Sequence, residues 1–394
     1  IDMTVRTTAA LLTLSLAAAS AAGAQARGDS GAAAARPAAN ACDIQSAGSA
    51  QVSSAYAALG KYNEAQDDAA KKSALSDAVK QLSAAPDKPG SETARHWVMG
   101  QTLVAWSLID DQPLSGKRST FGYATNGDAD VQILAAADSA LDAVVAAMPG
   151  CQEQVDNMRR LAYVTAANRA VAAFNAGNVE EAEAIAHQSI AIYDENAPTY
   201  HLLGNVAIKK QDWAAADSLL GRAAEQAKAD SSLATLRQNA LESQAAVLNN
   251  LVATSEGEQQ RQFATKQAGV YRELLTIQPD NGALQSGLAQ ALSMSGDTAA
   301  VSGIYAQMLA NPSGYSAAQL LDAGIGAANA ERYGDAVALL EAGLAQNPYY
   351  RDGLFALTFG YSMQNEYAKM AATAQRLIAV DPSNPDNHNL LAQA

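Results

Sequence analysis

Two stretches near the end of the chain decide its fold: 333–348, YGDAVALLEAGLAQNP, and 367–382, YAKMAATAQRLIAVDP. They begin 34 residues apart and close on Pro348 and Pro382. Tyr333 aligns with Tyr367, Ala336 with Met370, Leu340 with Ala374 and Leu344 with Ile378. Small and apolar residues recurring every three or four positions form one face of a helix. Proline then stops that helix, because it lacks an N–H and its ring clashes with the preceding turn. A fixed period of 34 predicts stacked helical hairpins, since one hairpin alone cannot bury its own apolar face.

The same register extends upstream. Tyr200, Leu203 and Gly204 precede an Asp212-Trp213 turn and then Ala216 and Leu220. The unit before it, from Tyr163, carries Gly177 at its turn and Ala182, which lies 34 before Ala216. Gly296-Asp297 leads into Val301 and Tyr305, Gly324 precedes Ala336 and Leu340, and Leu354, Leu357 and Tyr361 precede Met370. From Val301 to Ala336 is 35 residues, and from Ala336 to Met370 is 34. Small residues in these slots let two helices approach, and large ones fill the gaps between.

These residues resemble the tetratricopeptide repeat, with its W-x2-L-G-x2-Y first helix, A-x3-F second helix and trailing proline. The resemblance covers the chain from about Ser46 onward and implies an all-α, TPR-like helical-hairpin solenoid wound as a right-handed superhelix. Two regions depart from the period. Between Ser231 and Pro279 both helices look extended, about 231–253 and 256–277. Nearer the start, Gly60-Lys-Tyr-Asn-Glu-Ala65 reads as a turn whose second helix runs to about Ala84. The next pair carries Met99-Gly100 on one helix and Ala137 and Leu141 on the other, which leaves about 25 residues inserted at the tip, roughly 111–130. The domain reading is therefore 43–156 as irregular hairpins and 157–394 as the regular solenoid. Pro385–Ala394 begins a further first helix, with Leu391-Ala392 in the packing slots, so the last repeat reads as incomplete.

The chain is 49% hydrophobic but only 6% aromatic, with much of the apolar share supplied by alanine, which suits close helix packing. Net charge is −14, and no basic cluster exceeds Lys71-Lys72 or Lys117-Arg118. An acidic surface repels phosphate backbones, so nucleic acid is not expected as a partner. At the start, Met3, Arg6, the apolar run 9–22 and Ala24-Gln-Ala26 read as a secretory signal peptide, 1–26 with the two leading residues, cleaved before Arg27. The run is too short to span a bilayer, and no other stretch approaches the required length. Residues 27–42 read as a flexible leader of small polar composition. Export would place Cys42 and Cys151 in an oxidising compartment, either joined or as two separate thiols. The expected location is periplasmic or envelope-associated.

No catalytic or metal constellation is legible. His96, His187, His201 and His388 lack ligand spacing. Gly116-Lys117 lacks the upstream Gly and following Ser or Thr of a phosphate loop, and Gly324-Ile-Gly326 lacks the third Gly of a dinucleotide fingerprint. Asn126-x-Asp128-x-Asp130 lacks the Gly and terminal Glu of a calcium loop. No cofactor or metal is therefore expected, and no enzyme. The insertion, with Lys117, Arg118, Phe121 and Tyr123, is a candidate binding loop, the alternative being a disordered tip.

The resemblance further implies that the first helices line a concave groove. It places Leu321 with Ile325, Phe355 with Phe359, and Met363 and Met294 in an apolar strip there. His201, Asn205 and Lys209 form a polar section. The carboxylate-gripping set of some family members is absent, because Ala167, Val171 and Leu236 stand at its slots. The function implied is a scaffold that binds a peptide or helix of a protein partner. The alternative is a subunit of an envelope or secretion assembly that docks or self-associates through its ends, with an enzyme third.

Overall fold

The hairpin register read from the sequence runs through the computed structural model, which describes residues 42–44, 48–110, 112–279 and 281–394. The signal-peptide reading and the leader as far as residue 41 lie outside the described residues. In chain order the helices run α1 (Ala50–Glu64), α2 (Asp68–Ser83), α3 (Glu92–Ser107), α4 (Ile133–Ala147), α5 (Gln152–Asn175), α6 (Val179–Ile192), α7 (Ala197–Lys209) and α8 (Trp213–Ala227). There follow α9 (Ala234–Thr254), α10 (Gly257–Ile277), α11 (Gly282–Ser295), α12 (Thr298–Ala310), α13 (Ala317–Asn329), α14 (Tyr333–Gln346), α15 (Arg351–Met363), α16 (Tyr367–Val380) and α17 (Pro385–Gln393). Consecutive helices pair as hairpins, and first helices of neighbouring hairpins also touch, α11 with α13 and α13 with α15. The molecule is an all-α hairpin solenoid.

Five hairpin tips are built alike. One residue at each takes a left-handed conformation: Gly177 (φ 87°), Gln211 (60°), Gly296 (87°), Glu331 (59°) and Asn365 (58°). The next residue donates its N–H to the carbonyl five back: Asn178 to Ala173, Asp212 to Ala207, Asp297 to Leu292, Arg332 to Ala327 and Glu366 to Tyr361, all at 2.9–3.0 Å. This satisfies a carbonyl the first helix leaves unpaired and turns the chain into the second helix. Four residues on from those donors lie Ala182, Ala216, Val301, Ala336 and Met370, all at most 1% exposed. These are the slots expected from the period. The long pair between Ser231 and Pro279 is also as read, 21 residues in each of α9 and α10.

Glycine fixes the closest helix approach. A Cβ on Gly204 would stand 2.6 Å from Leu220, one on Gly324 2.6 Å from Leu340, and one on Gly100 2.6 Å from Leu141. The first two pairs are 16 positions apart and the third 41, so 25 residues are inserted between α3 and α4, as the sequence implies.

That insertion is ordered, which removes the reading of a disordered tip. It holds a short antiparallel pair, β1 (Ser115–Lys117) and β2 (Asp130–Gln132), with Ser115 opposite Gln132 and Lys117 opposite Asp130. Leu114 and Phe121 are buried, and Phe121 meets Trp106 edge-on at 5.5 Å between ring centres. The segment reaches back to α2, where the N–H of Ala124 donates to the Ser83 hydroxyl at 2.8 Å. It also reaches α5, where Arg169 donates to the Gln112 carbonyl.

A second correction concerns Gly60. It lies within α1, not at a turn; a Cβ there would meet nothing within 4 Å, so the helix runs through it. The chain turns at Ala65–Asp67 instead, and the Asp67 carboxylate caps α2 by accepting from the Ala70 N–H at 2.8 Å. Cys42 and Cys151 are joined as a disulfide with Cα atoms 4.6 Å apart, fastening the start of the described chain to the turn before α5.

Candidate functional site

The face formed by α11, α13 and α15 follows from how α15 is packed. Leu354, Leu357, Thr358 and Tyr361 are buried, at i, i+3, i+4 and i+7. That stripe uses the apolar side of the helix, yet Phe355, Phe359 and Met363 lie beside it at four-residue steps. They remain 42%, 41% and 47% exposed. Side chains four apart stand above one another on a helix, so the three make a continuous row. Tyr333, opening α14, meets Phe359 edge-on at 6.0 Å.

Stepping back by one period gives the equivalent positions on the neighbouring first helices: Ile325 for Phe359, and Met294 and Asn329 for Met363. Ile325 is half-buried and Met294 is 37% exposed. Both line a cleft of about 900 Å³ between α11 and α13, together with Gln290, Asn329 and Asp322. The structure thus brings together five of the six expected apolar groove residues on one run of first helices.

Leu321 is the exception and corrects the expectation. It is 1% exposed and packs into the core, because Gly343 and Gly353 leave space for it. A Cβ on either glycine would come within 2.6–2.7 Å of the Leu321 side chain. One period later those places are taken by Leu377 and Asn387, both buried, so Phe355 has no such recess. The signal was present in the sequence as the glycine pair 343 and 353.

The polar section is more occluded than its composition implies. His201 is half-buried on α7, and burial pushes its pKa below the ordinary imidazole value. Lys209 stands over the Phe174 ring at 4.9 Å, and Asn205 is half-buried beside them in the register. On the same hairpin the Tyr200 hydroxyl donates to Asp194, which Arg222 also grips through both carboxylate oxygens at 2.6 Å. Burial first, then that carboxylate, pushes the Tyr200 pKa up to about 12.

The inserted loop does not present its aromatics as expected. Phe121 is 1% exposed and belongs to the core, since Trp106 and the inserted backbone enclose it. Tyr123 is half-buried under the Arg118 guanidinium, 3.9 Å from the ring centre. Lys117 pairs with Asp130 at 2.9 Å in water. Four residues that suggested a binding tip therefore mostly hold the tip together.

One feature went unread in the sequence. Leu161, Val164 and Val171 on α5 are a second exposed apolar row, recoverable from the 3-and-7 spacing. A smaller cleft of about 330 Å³ lies among α8, α9 and α10, but its Lys266 is engaged by buried Asp217 and its Glu273 by Arg237. Among the described residues, no three His, Cys, Asp or Glu side chains gather where a metal ion could be held. No helix among them is long and apolar enough to cross a membrane.

No protein-family model matches the chain, and no curated protein does. Among solved structures it is similar to YrrB, a TPR protein with an unusual peptide-binding site, at 13% identity over 58% of this chain and 90% of that one, TM-score 0.32. It is also similar to the P58(IPK) TPR domain, at 14% identity over 86% and 84%, TM-score 0.28. Yeast Tom70 matches at 10% identity over 87% and 80%, TM-score 0.31. At such identities and scores these likenesses add nothing to the hairpin register, on which the TPR-like fold assignment rests.

Proposed function

We propose that this protein is a non-catalytic interaction scaffold of the cell envelope whose α11–α13–α15 face receives an apolar helix or peptide of a partner protein. The observation that carries the reading is the row Phe355, Phe359 and Met363, exposed beside the cleft that holds Met294 and Ile325. Contiguous aromatic and thioether surface in water is unfavourable by about 25 cal/mol per Å², and burial against a partner recovers it. The test is crosslinking in the native envelope with wild type and with the Phe355→Ser, Phe359→Ser pair. Proteins attached to wild type should be lost from the variant; the same proteins at the same yield would remove this face as the site.

Residence in the envelope is supported by the Met3–Ala26 pattern and by the Cys42–Cys151 disulfide, which persists only where thiols are oxidised. N-terminal sequencing of the protein from fractionated cells should find Arg27 first. A second reading, an assembly subunit that also docks or self-associates, is favoured by the exposed Leu161, Val164 and Val171 row. Sedimentation at rising concentration should then show association, and a strict monomer would leave only docking to other proteins.

A further inference from the structure

We propose that the segment received by the α11–α13–α15 face is an amphipathic helix carrying a lysine or arginine that pairs with Asp322. The inference rests on the groove reading above and adds the chemistry of the occupant.

Charge favours a basic occupant. Helix α11 has no charged residue, α13 has Asp322 alone, and α15 has Arg351 and Asp352 in its first turn. Across 282–394 nine Asp and Glu face four Arg and Lys. Each of those four cations is engaged within the chain. Arg332 bonds Asp335 at 2.6 Å, and Arg351 bonds Asp352 and Asp381 at 2.8 Å each. Lys369 bonds Glu366 at 2.7 Å, and Arg376 donates to the Pro348 carbonyl at 3.1 Å. Asp322 is exposed, lines the cleft with Met294 and Ile325, and among the described residues its carboxylate meets no ion-pair or hydrogen-bond partner. An arriving segment meets this anion among apolar and amide groups, and the cleft's Arg332 is already held by Asp335, so a basic side chain is attracted and an acidic one repelled.

The backbone of the face favours a helical occupant. The surfaces that form this face are helical, with main-chain groups already paired, so an extended segment finds no strand edge to extend. The Gln319 side chain is also occupied, accepting from the Ser316 N–H at 2.8 Å. A helix satisfies its own backbone and needs only side-chain contact. The four-residue steps of Phe355, Phe359 and Met363 form a ridge of the kind that packs into a helix groove.

The test uses synthetic peptides of about 18 residues, five helical turns, with leucine on one face and lysine on the other. Charge-reversed glutamate, neutral glutamine and proline-interrupted lysine versions complete the set, each titrated by fluorescence anisotropy against the mature chain at physiological salt. The lysine helix should bind, and the glutamate and proline versions about tenfold or more weaker. Asp322→Asn should weaken the lysine helix about threefold, as for an exposed ion pair, and leave the glutamine version unchanged. Equal binding of lysine and glutamate versions, or an equal effect of Asp322→Asn on the glutamine version, overturns the basic occupant; undiminished binding of the proline version overturns the helix. In those cases binding that is still lost in the Phe355→Ser, Phe359→Ser pair leaves the groove standing. Binding indifferent to that pair removes the groove and the inference together.

Discussion

The two ends of the solenoid obey one packing rule and do opposite things with their phenylalanines. Around α3 and α4, and again around α13 and α14, a glycine admits a leucine from the facing helix, Gly100 with Leu141 and Gly324 with Leu340. At the N-terminal end 25 extra residues fold back, bury Phe121 against Trp106 and lie on a segment closed by a disulfide. At the C-terminal end no residues are spare, and Phe355, Phe359 and Met363 stay at the surface. Departure from the period gives large side chains somewhere to go. Strict adherence buries only the side chains in its core slots, such as Tyr361, and leaves Phe355, Phe359 and Met363 beside them facing out, available to another molecule.

The sharpest way to break this contrast is to open the disulfide. Replacing Cys42 and Cys151 by alanine releases a loop closed across 109 positions, which the chain-entropy model values at about 4–5 kcal/mol. Denaturant unfolding should show the loss, and hydrogen exchange should rise in α1–α4 while α11–α16 keep their protection; a rise across both ends would mean the two are not energetically distinct. Next, Phe121→Ala should cost about 3–4 kcal/mol as a core cavity. Phe359→Ala, removing a ring already two-fifths in water, should cost about 1 kcal/mol or less. Comparable losses would end the distinction between buried and presented aromatics.

The shared rule can be sharpened with Gly100→Ala and Gly324→Ala. Each adds a methyl 2.6 Å from a leucine, and each should cost about 1–3 kcal/mol. Similar values would show that the insertion leaves the underlying hairpin intact. The smallest effect belongs to His201. Its folded pKa lies below the ordinary 6.5, so the unfolded chain binds more protons as pH falls from about 6.5 toward the folded value. Its contribution is therefore present above that window and lost on acidification through it. His201→Gln should flatten the fall of Tm between pH 7.5 and 5, and an unchanged slope would count against the buried imidazole.

Much of the architecture was legible because it repeats. Ala182, Ala216, Val301, Ala336 and Met370 occupy their slots through local hydrogen bonding and small size, both visible at fixed spacing. Burial that depends on distant partners was not. Phe121 looked like a loop aromatic because Trp106 is on another element, and Leu321 looked presented because its recess is made by glycines 22 and 32 residues away. Gly60 misled for a different reason: a helix tolerates an interior glycine at a cost of about 1 kcal/mol, so glycine does not always mark a turn. In the site, the exposed residues Phe355, Phe359, Met363 and Met294 were read from register together with the family resemblance, whereas the carboxylate of Asp322 required knowing where the neighbouring cations had gone.

The bond between Cys42 and Cys151 has a mechanical consequence. Tension applied to the chain ahead of Cys42 passes through sulfur directly to Cys151 and on into α5. Residues 43–150, with α1–α4 and the folded insertion, sit outside the load path and can slacken without lengthening the molecule. In a single-molecule stretching experiment the oxidised protein should therefore lack the extension that this segment contributes, and a reductant should release it.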